Sequence, residues 1–136
     1  MCNTVIQLLL LFPAPKAPAE VIKELEGTWD TTANGYVGKL IISVGKFNKI
    51  EGSFFGHSMR GNFDPKTKRI VFERMVRQKD ELKVVQVFTG ELLQNADSTP
   101  PRYSLKGTFK GIGGDWGEPS VEYRWNAIIA PPGPKP

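Results

Sequence analysis

The stretch Glu26-Gly-Thr-Trp-Asp-Thr-Thr-Ala-Asn-Gly-Tyr-Val-Gly-Lys-Leu-Ile-Ile-Ser-Val44 writes a β-hairpin whose register can be worked out residue by residue. Asn34-Gly35 tolerates positive φ at both central positions of a type I′ turn, and that turn's twist matches two antiparallel strands. Ala33 then faces Tyr36, Thr31 faces Gly38 and Trp29 faces Leu40. Because successive side chains alternate, Trp29, Thr31, Ala33, Tyr36, Gly38, Leu40, Ile42 and Val44 share one face, which reads as core. Asp30, Thr32, Lys39 and Ser43 take the other, wet face.

The same alternation continues downstream. Lys49-Ile-Glu-Gly-Ser-Phe-Phe55 predicts a strand, and Gly56-His57 predicts a type II′ turn into Ser58-Met-Arg-Gly-Asn-Phe63. That pairing sets Phe54 against Met59, Gly52 against Gly61 and Ile50 against Phe63, and it leaves His57 as an exposed turn residue. Facing glycines permit strong coiling and leave space inside a closed sheet. Asp64-Pro65-Lys66-Thr67 is a type I turn signal. With Phe63 opposite Lys68, the next strand points Ile70, Phe72, Arg74 and Val76 inward. Residues 77–82 read as a charged loop.

The strand over 83–94 is apolar on both faces, with Val84, Phe88 and Leu92 on one and Val85, Val87 and Leu93 on the other. Together with Ile41, Val71 and Met75 outside, this predicts a homo-oligomer contact along strands 69–76 and 83–94. Tyr103, Leu105, Gly107 and Phe109 face in from residues 102–110. A glycine-rich loop, 111–120, carries Trp116 and leads to a last strand over 121–129. About eight strands on short connections, with no helical period after residue 26, predict an all-β fold. An eight-stranded antiparallel up-and-down barrel removes both sheet edges.

With 136 residues, 40% hydrophobic and 24% charged, the chain suits one soluble-type domain. Three parts are expected: an apolar, then Pro/Ala-rich arm over 1–24, the barrel over 25–130 and a Pro-rich tail over 131–136. The apolar run 5–12 is too short to span a bilayer. Ala17-Pro18-Ala19 has the form of a secretory cleavage site, but no Lys or Arg precedes the run, which favours the cytoplasm. Ala19 to Leu25 suggests one helical turn closing a barrel end. The formal net charge of +4 is scattered rather than striped, so no nucleic-acid partner is expected. One cysteine and one histidine exclude a disulfide and any cysteine or histidine metal cluster. No hydrolase triad, zinc or Walker motif is present, and neither enzyme activity, metal nor cofactor is expected.

Gly27-Thr28-Trp29, Ile50-Glu-Gly-Ser-Phe54, Leu105-Lys-Gly-Thr-Phe109 and Trp116 fall in an order that resembles the calycin group, and within it the avidin and streptavidin family more than the lipocalins. The resemblance implies an eight-stranded barrel with a small-molecule site at one open end, often in a homotetramer. Thr31 and Gly35 stand where that family has the Asn and Ser that hold biotin, and Phe54 and Gly56 where it has Tyr and Ser, so biotin is not the implied ligand. In lipocalins a basic residue of the last strand covers the first-strand Trp; Arg124 occupies the comparable place here.

These readings lead to a non-enzymatic barrel for a small hydrophobic or aromatic ligand with an anionic end. Trp29, Tyr36, Phe72, Phe88, Tyr103, Tyr123 and Trp125 would line the wall, and Arg74, Thr31 and Gln86 would orient a polar end. The alternative is an oligomeric structural or interaction module with a filled barrel and no small-molecule ligand.

Overall fold

The computed structural model describes residues 22–95 and 102–129. The N-terminal arm up to residue 21, the loop 96–101 and the tail from residue 130 lie outside the described residues, and with them the cleavage-site reading. Eight strands follow one another: β1 (Gly27–Ala33), β2 (Tyr36–Val44), β3 (Lys49–Phe54), β4 (His57–Asp64), β5 (Arg69–Gln78), β6 (Glu81–Asn95), β7 (Arg102–Gly111) and β8 (Tyr123–Ile129). Each pairs antiparallel with the next, and β1 closes on β8 from Trp29↔Ile129 to Ala33↔Trp125, giving a closed up-and-down barrel. No helix among the described residues is long and apolar enough to cross a membrane.

The first hairpin has the register that Asn34-Gly35 dictates, Ala33↔Tyr36 through Trp29↔Leu40, with φ of 47° and 85° at the two turn residues. Its outer face carries the Lys39–Asp30 ion pair, and its inner face buries Trp29, Thr31, Leu40 and Ile42. The helical turn at residues 22–25 packs Ile22 and Leu25 into the core, and the Trp29 indole N–H donates to the Leu25 carbonyl at 2.9 Å. A buried indole needs such a partner. This end of the barrel is therefore stoppered and hydrogen-bonded shut.

Three connections differ from the sequence expectation. The β3–β4 turn is Phe55-Gly56, with φ of 49° and 81°, so Phe54 pairs with His57 rather than Met59, and Gly52 and Gly61 are no longer opposite one another. A left-handed Phe is costly. Its ring offsets that cost by stacking on Phe54 at 4.5 Å and by filling the space over Gly38, where any Cβ would collide with it. The next register shifts likewise, to Phe63↔Ile70 with Lys68 left-handed in the turn. A shift of two keeps the same residues inside. Finally, 77–82 is not a loop: β5 runs to Gln78 and β6 starts at Glu81 across a tight Lys79-Asp80 turn, both residues at positive φ.

The glycines let neighbouring backbone come close. A Cβ at Gly52 would meet the Ile41 carbonyl oxygen, and one at Gly61 would meet the Val71 carbonyl oxygen. The β5–β6 ladder slips between Arg74 and Met75: Arg74 pairs with Gln86 but Met75 with Val84, leaving Val85 as the extra residue of a bulge. Val84 thus sits opposite Met75, off the Phe88 face, and Met75 and Val85 are buried rather than presented to a partner. Arg124 is exposed between the buried Trp125 and half-buried Tyr123, on the face away from Trp29, so it does not cover that indole.

The core is an aromatic plug across the bore. Phe72 stacks on Phe88 at 4.7 Å, Phe88 on Phe109 at 4.6 Å, and Trp125 stands edge-on to both Phe72 and Phe88. The Trp125 N–H donates to the Thr89 carbonyl at 3.0 Å. Phe88 touches every other ring of this set and is fully buried. We predict that Phe88→Ala lowers the unfolding free energy by about 3–5 kcal/mol. Tyr36→Ala, at a position 71% exposed, should change it by less than about 0.5 kcal/mol; urea denaturation of both variants checks the contrast.

Candidate functional site

Up-and-down order puts the β1–β2, β3–β4 and β5–β6 turns and the β7–β8 loop at the end opposite the helical stopper. That end is open. A pocket of about 490 Å³ opens there above the aromatic plug, lined by Phe54, Phe55, Phe109, Tyr123, Tyr36 and Trp116 together with Arg74, Gln86 and Asp115. Its size is ordinary for a small-molecule site. A larger concavity, about 680 Å³, lies on the outer wall over β3–β5. It is lined by Lys46, Glu51, Arg60 and Glu73, of which Arg60 and Glu73 already pair at 3.7 Å, and it lacks the convergent aromatic walls of the mouth.

Arg74 is the centre of the mouth. Alternation along β5 turns it inward beyond Phe72, and the bulge at Val85 brings Gln86 directly opposite. Its Nε lies 3.1 Å and its Nη2 2.7 Å from His57 Nδ1, while Nη1 donates to Gln86 Oε1 at 3.0 Å. Gln86 Nε2 in turn donates to the Trp116 carbonyl at 2.9 Å, tying the glycine-rich loop to the barrel wall. The rings of Trp116, Phe54 and Phe55 stand 5.2, 5.4 and 5.6 Å from the guanidinium carbon. Such a cage holds a cation by ring electrostatics and fixes its plane. Among the described residues no carboxylate forms an ion pair with Arg74.

A guanidinium always donates, so His57 Nδ1 must accept, and the neutral ring carries its proton on Nε2. Burial, followed by the nearby Arg74 charge, holds the His57 pKa below 6.5. Burial also lowers that of Arg74 from its ordinary value, though it remains cationic at neutral pH. The site thus presents one positive charge, a neutral imidazole, an amide, several rings and, in its lining, the Asp115 carboxylate. Nothing in it pairs an acid with a base, and no group of three potential metal ligands occurs among the described residues.

The ten residues expected at the ligand divide by height in the barrel. Tyr36, Arg74, Gln86 and Tyr123 come together at the mouth, Tyr36 on the rim rather than the wall. Phe72, Phe88 and Trp125 form the plug beneath and are fully buried. Trp29 lies deeper, and Thr31, also buried, spends its hydroxyl on the Trp29 carbonyl at 3.2 Å. Tyr103, half-buried, sits on β7 opposite Gln94 towards the stoppered end. His57, Phe54, Phe55, Trp116 and Asp115 were not expected there. His57 was hidden by the wrong turn register; the lone tryptophan in the glycine loop was the only sequence signal for that wall. Comparison with protein-family models, with curated proteins and with solved structures finds no match for this chain.

His57 should titrate below 6.5 by NMR of its ring protons, and Arg74→Met should raise the midpoint part of the way back, since burial acts first and persists. The lowered value has a stability consequence of definite sign. Above pH 6.5 it contributes nothing; as pH falls from 6.5 towards the folded value, the unfolded chain takes a proton that the folded one refuses, so stability declines across that window. The decline should vanish in His57→Gln.

Proposed function

We propose that this chain is a non-enzymatic, calycin-like barrel that binds a small aromatic or apolar molecule bearing an anionic end. One observation carries the reading: a caged guanidinium, partly buried in an aromatic pocket, has no carboxylate ion partner among the described residues. A desolvated cation of this kind gains most from an anion delivered to it, and the surrounding rings would take the apolar body. The filled lower barrel confines the ligand to the mouth. The likeness to the avidin family supports a site at an open end and does not extend to biotin.

Calorimetric titration with 2-naphthoate tests this. Binding should weaken by about 10–100-fold in Arg74→Met, the loss of a hydrogen-bonded charge contact, with an unchanged circular dichroism spectrum. Equal affinity in wild type and variant ends the reading.

The second reading, an oligomeric interaction module, is favoured by the outer wall of β5 and β6, where Val71, Val87 and Leu93 stay 40–44% exposed. Under it, native mass spectrometry returns a multimer that Val71→Glu with Val87→Glu converts to monomer. A wild-type monomer removes it.

A further inference from the structure

We propose that the mouth selects a flat aromatic monocarboxylate and discriminates against the phosphate ester of the same ring system. This deepens the ligand-binding reading and rests on it. The selection follows from what Arg74 has left to give. A guanidinium carries five N–H groups. His57 Nδ1 draws on Nε and Nη2, and Gln86 Oε1 takes one from Nη1, so Nη1 and Nη2 each keep one. With Gln86 held by the Nη1 hydrogen nearer the side-chain stem, the two that remain on Nη1 and Nη2 would point the same way and match the two oxygens of one carboxylate.

Shape follows from the same geometry. A carboxylate paired with both nitrogens lies in the guanidinium plane, and an aryl ring conjugated to it extends that plane. The rings that hold the guanidinium, Phe54, Phe55 and Trp116, also line the pocket into which such a ligand would extend. Phe54 and Phe55 stack on one another at 4.5 Å, so a flat acid would lie against the faces of that pair and of Trp116, whereas a tetrahedral phosphate ester would hold its ring out of the guanidinium plane.

Charge points the same way. Arg74 is the only Lys or Arg among the described lining residues, and Asp115 lines the same pocket. A phosphate monoester, mostly dianionic above its second pKa of about 6, brings a second charge and a third oxygen. Among the charged lining groups it finds no second cation and one like charge. The amide N–H that Gln86 retains beside its bond to the Trp116 carbonyl adds a neutral donor and no charge.

Competitive calorimetry at pH 7.5 with 2-naphthoate, 2-naphthyl phosphate and 2-naphthalenemethanol tests the inference on wild type, Arg74→Lys and Asp115→Asn. The expected result is naphthoate bound at least tenfold more tightly than the phosphate in wild type. Asp115→Asn should narrow that gap. Arg74→Lys, which keeps the charge and loses the paired donors, should weaken naphthoate more than the phosphate. Phosphate bound as tightly as naphthoate, with both dependent on Arg74, overturns the selectivity and leaves the ligand-binding reading standing. The alcohol bound as tightly as naphthoate, or no binding of any probe, overturns both.

Discussion

The bore of an eight-stranded barrel is only wide enough for side chains to fill it, and here four aromatic rings, Phe72, Phe88, Phe109 and Trp125, fill it across the middle. Everything functional depends on that constraint. Once Phe72, Phe88 and Trp125 close the bore, the interior cannot be one continuous cavity. It becomes a sealed lower core, stoppered by Leu25, and a separate cup at the mouth. Both deep indoles donate to backbone carbonyls, so the plug leaves no buried polar side-chain atom without a partner among the described residues. A core packed to that degree is rigid, and a rigid floor gives the groups above it fixed positions.

Arg74 is where the barrel's geometry meets the proposed function. It stands two residues beyond Phe72 on β5, so alternation delivers an arginine into a space too wet to exclude it and too dry to solvate it fully. The protein supplies rings and neutral acceptors in place of a countercharge. His57 and Gln86 orient the guanidinium without neutralising it, which preserves its electrostatic demand for an anion. The chain Arg74, Gln86, Trp116 carbonyl also ties the glycine-rich loop to the barrel wall.

Much of this was legible in the sequence. Asn34-Gly35 set the first hairpin, and period-two alternation set the inward faces, including the inward Arg74, because both are local properties of backbone dihedrals. The errors were also local. Phe55-Gly56 is a poor type I′ turn by intrinsic preference and wins because Phe55, stacked on its neighbour Phe54, packs over Gly38 of the adjoining strand. Lys79-Asp80 has Asp but no glycine for its two positive-φ positions, and the length of the β5–β6 ladder compensates. His57 follows from the same cause: moving the turn back one residue shifts the pairing by two and takes His57 from a loop tip onto a strand facing Arg74.

The sequence by itself determined the fold class, the barrel's inner and outer faces and the presence of a cation among inward aromatics, since those follow from residue type and a period of two. Only the tertiary structure decided how high each inward residue stands along the axis. That height depends on strand stagger, the close backbone approach at Gly52 and Gly61 and the bulge at Val85, which no single strand encodes. It is why Trp29, Phe72 and Phe88 became core while Arg74, His57 and Trp116, far apart in the chain, came to share one mouth.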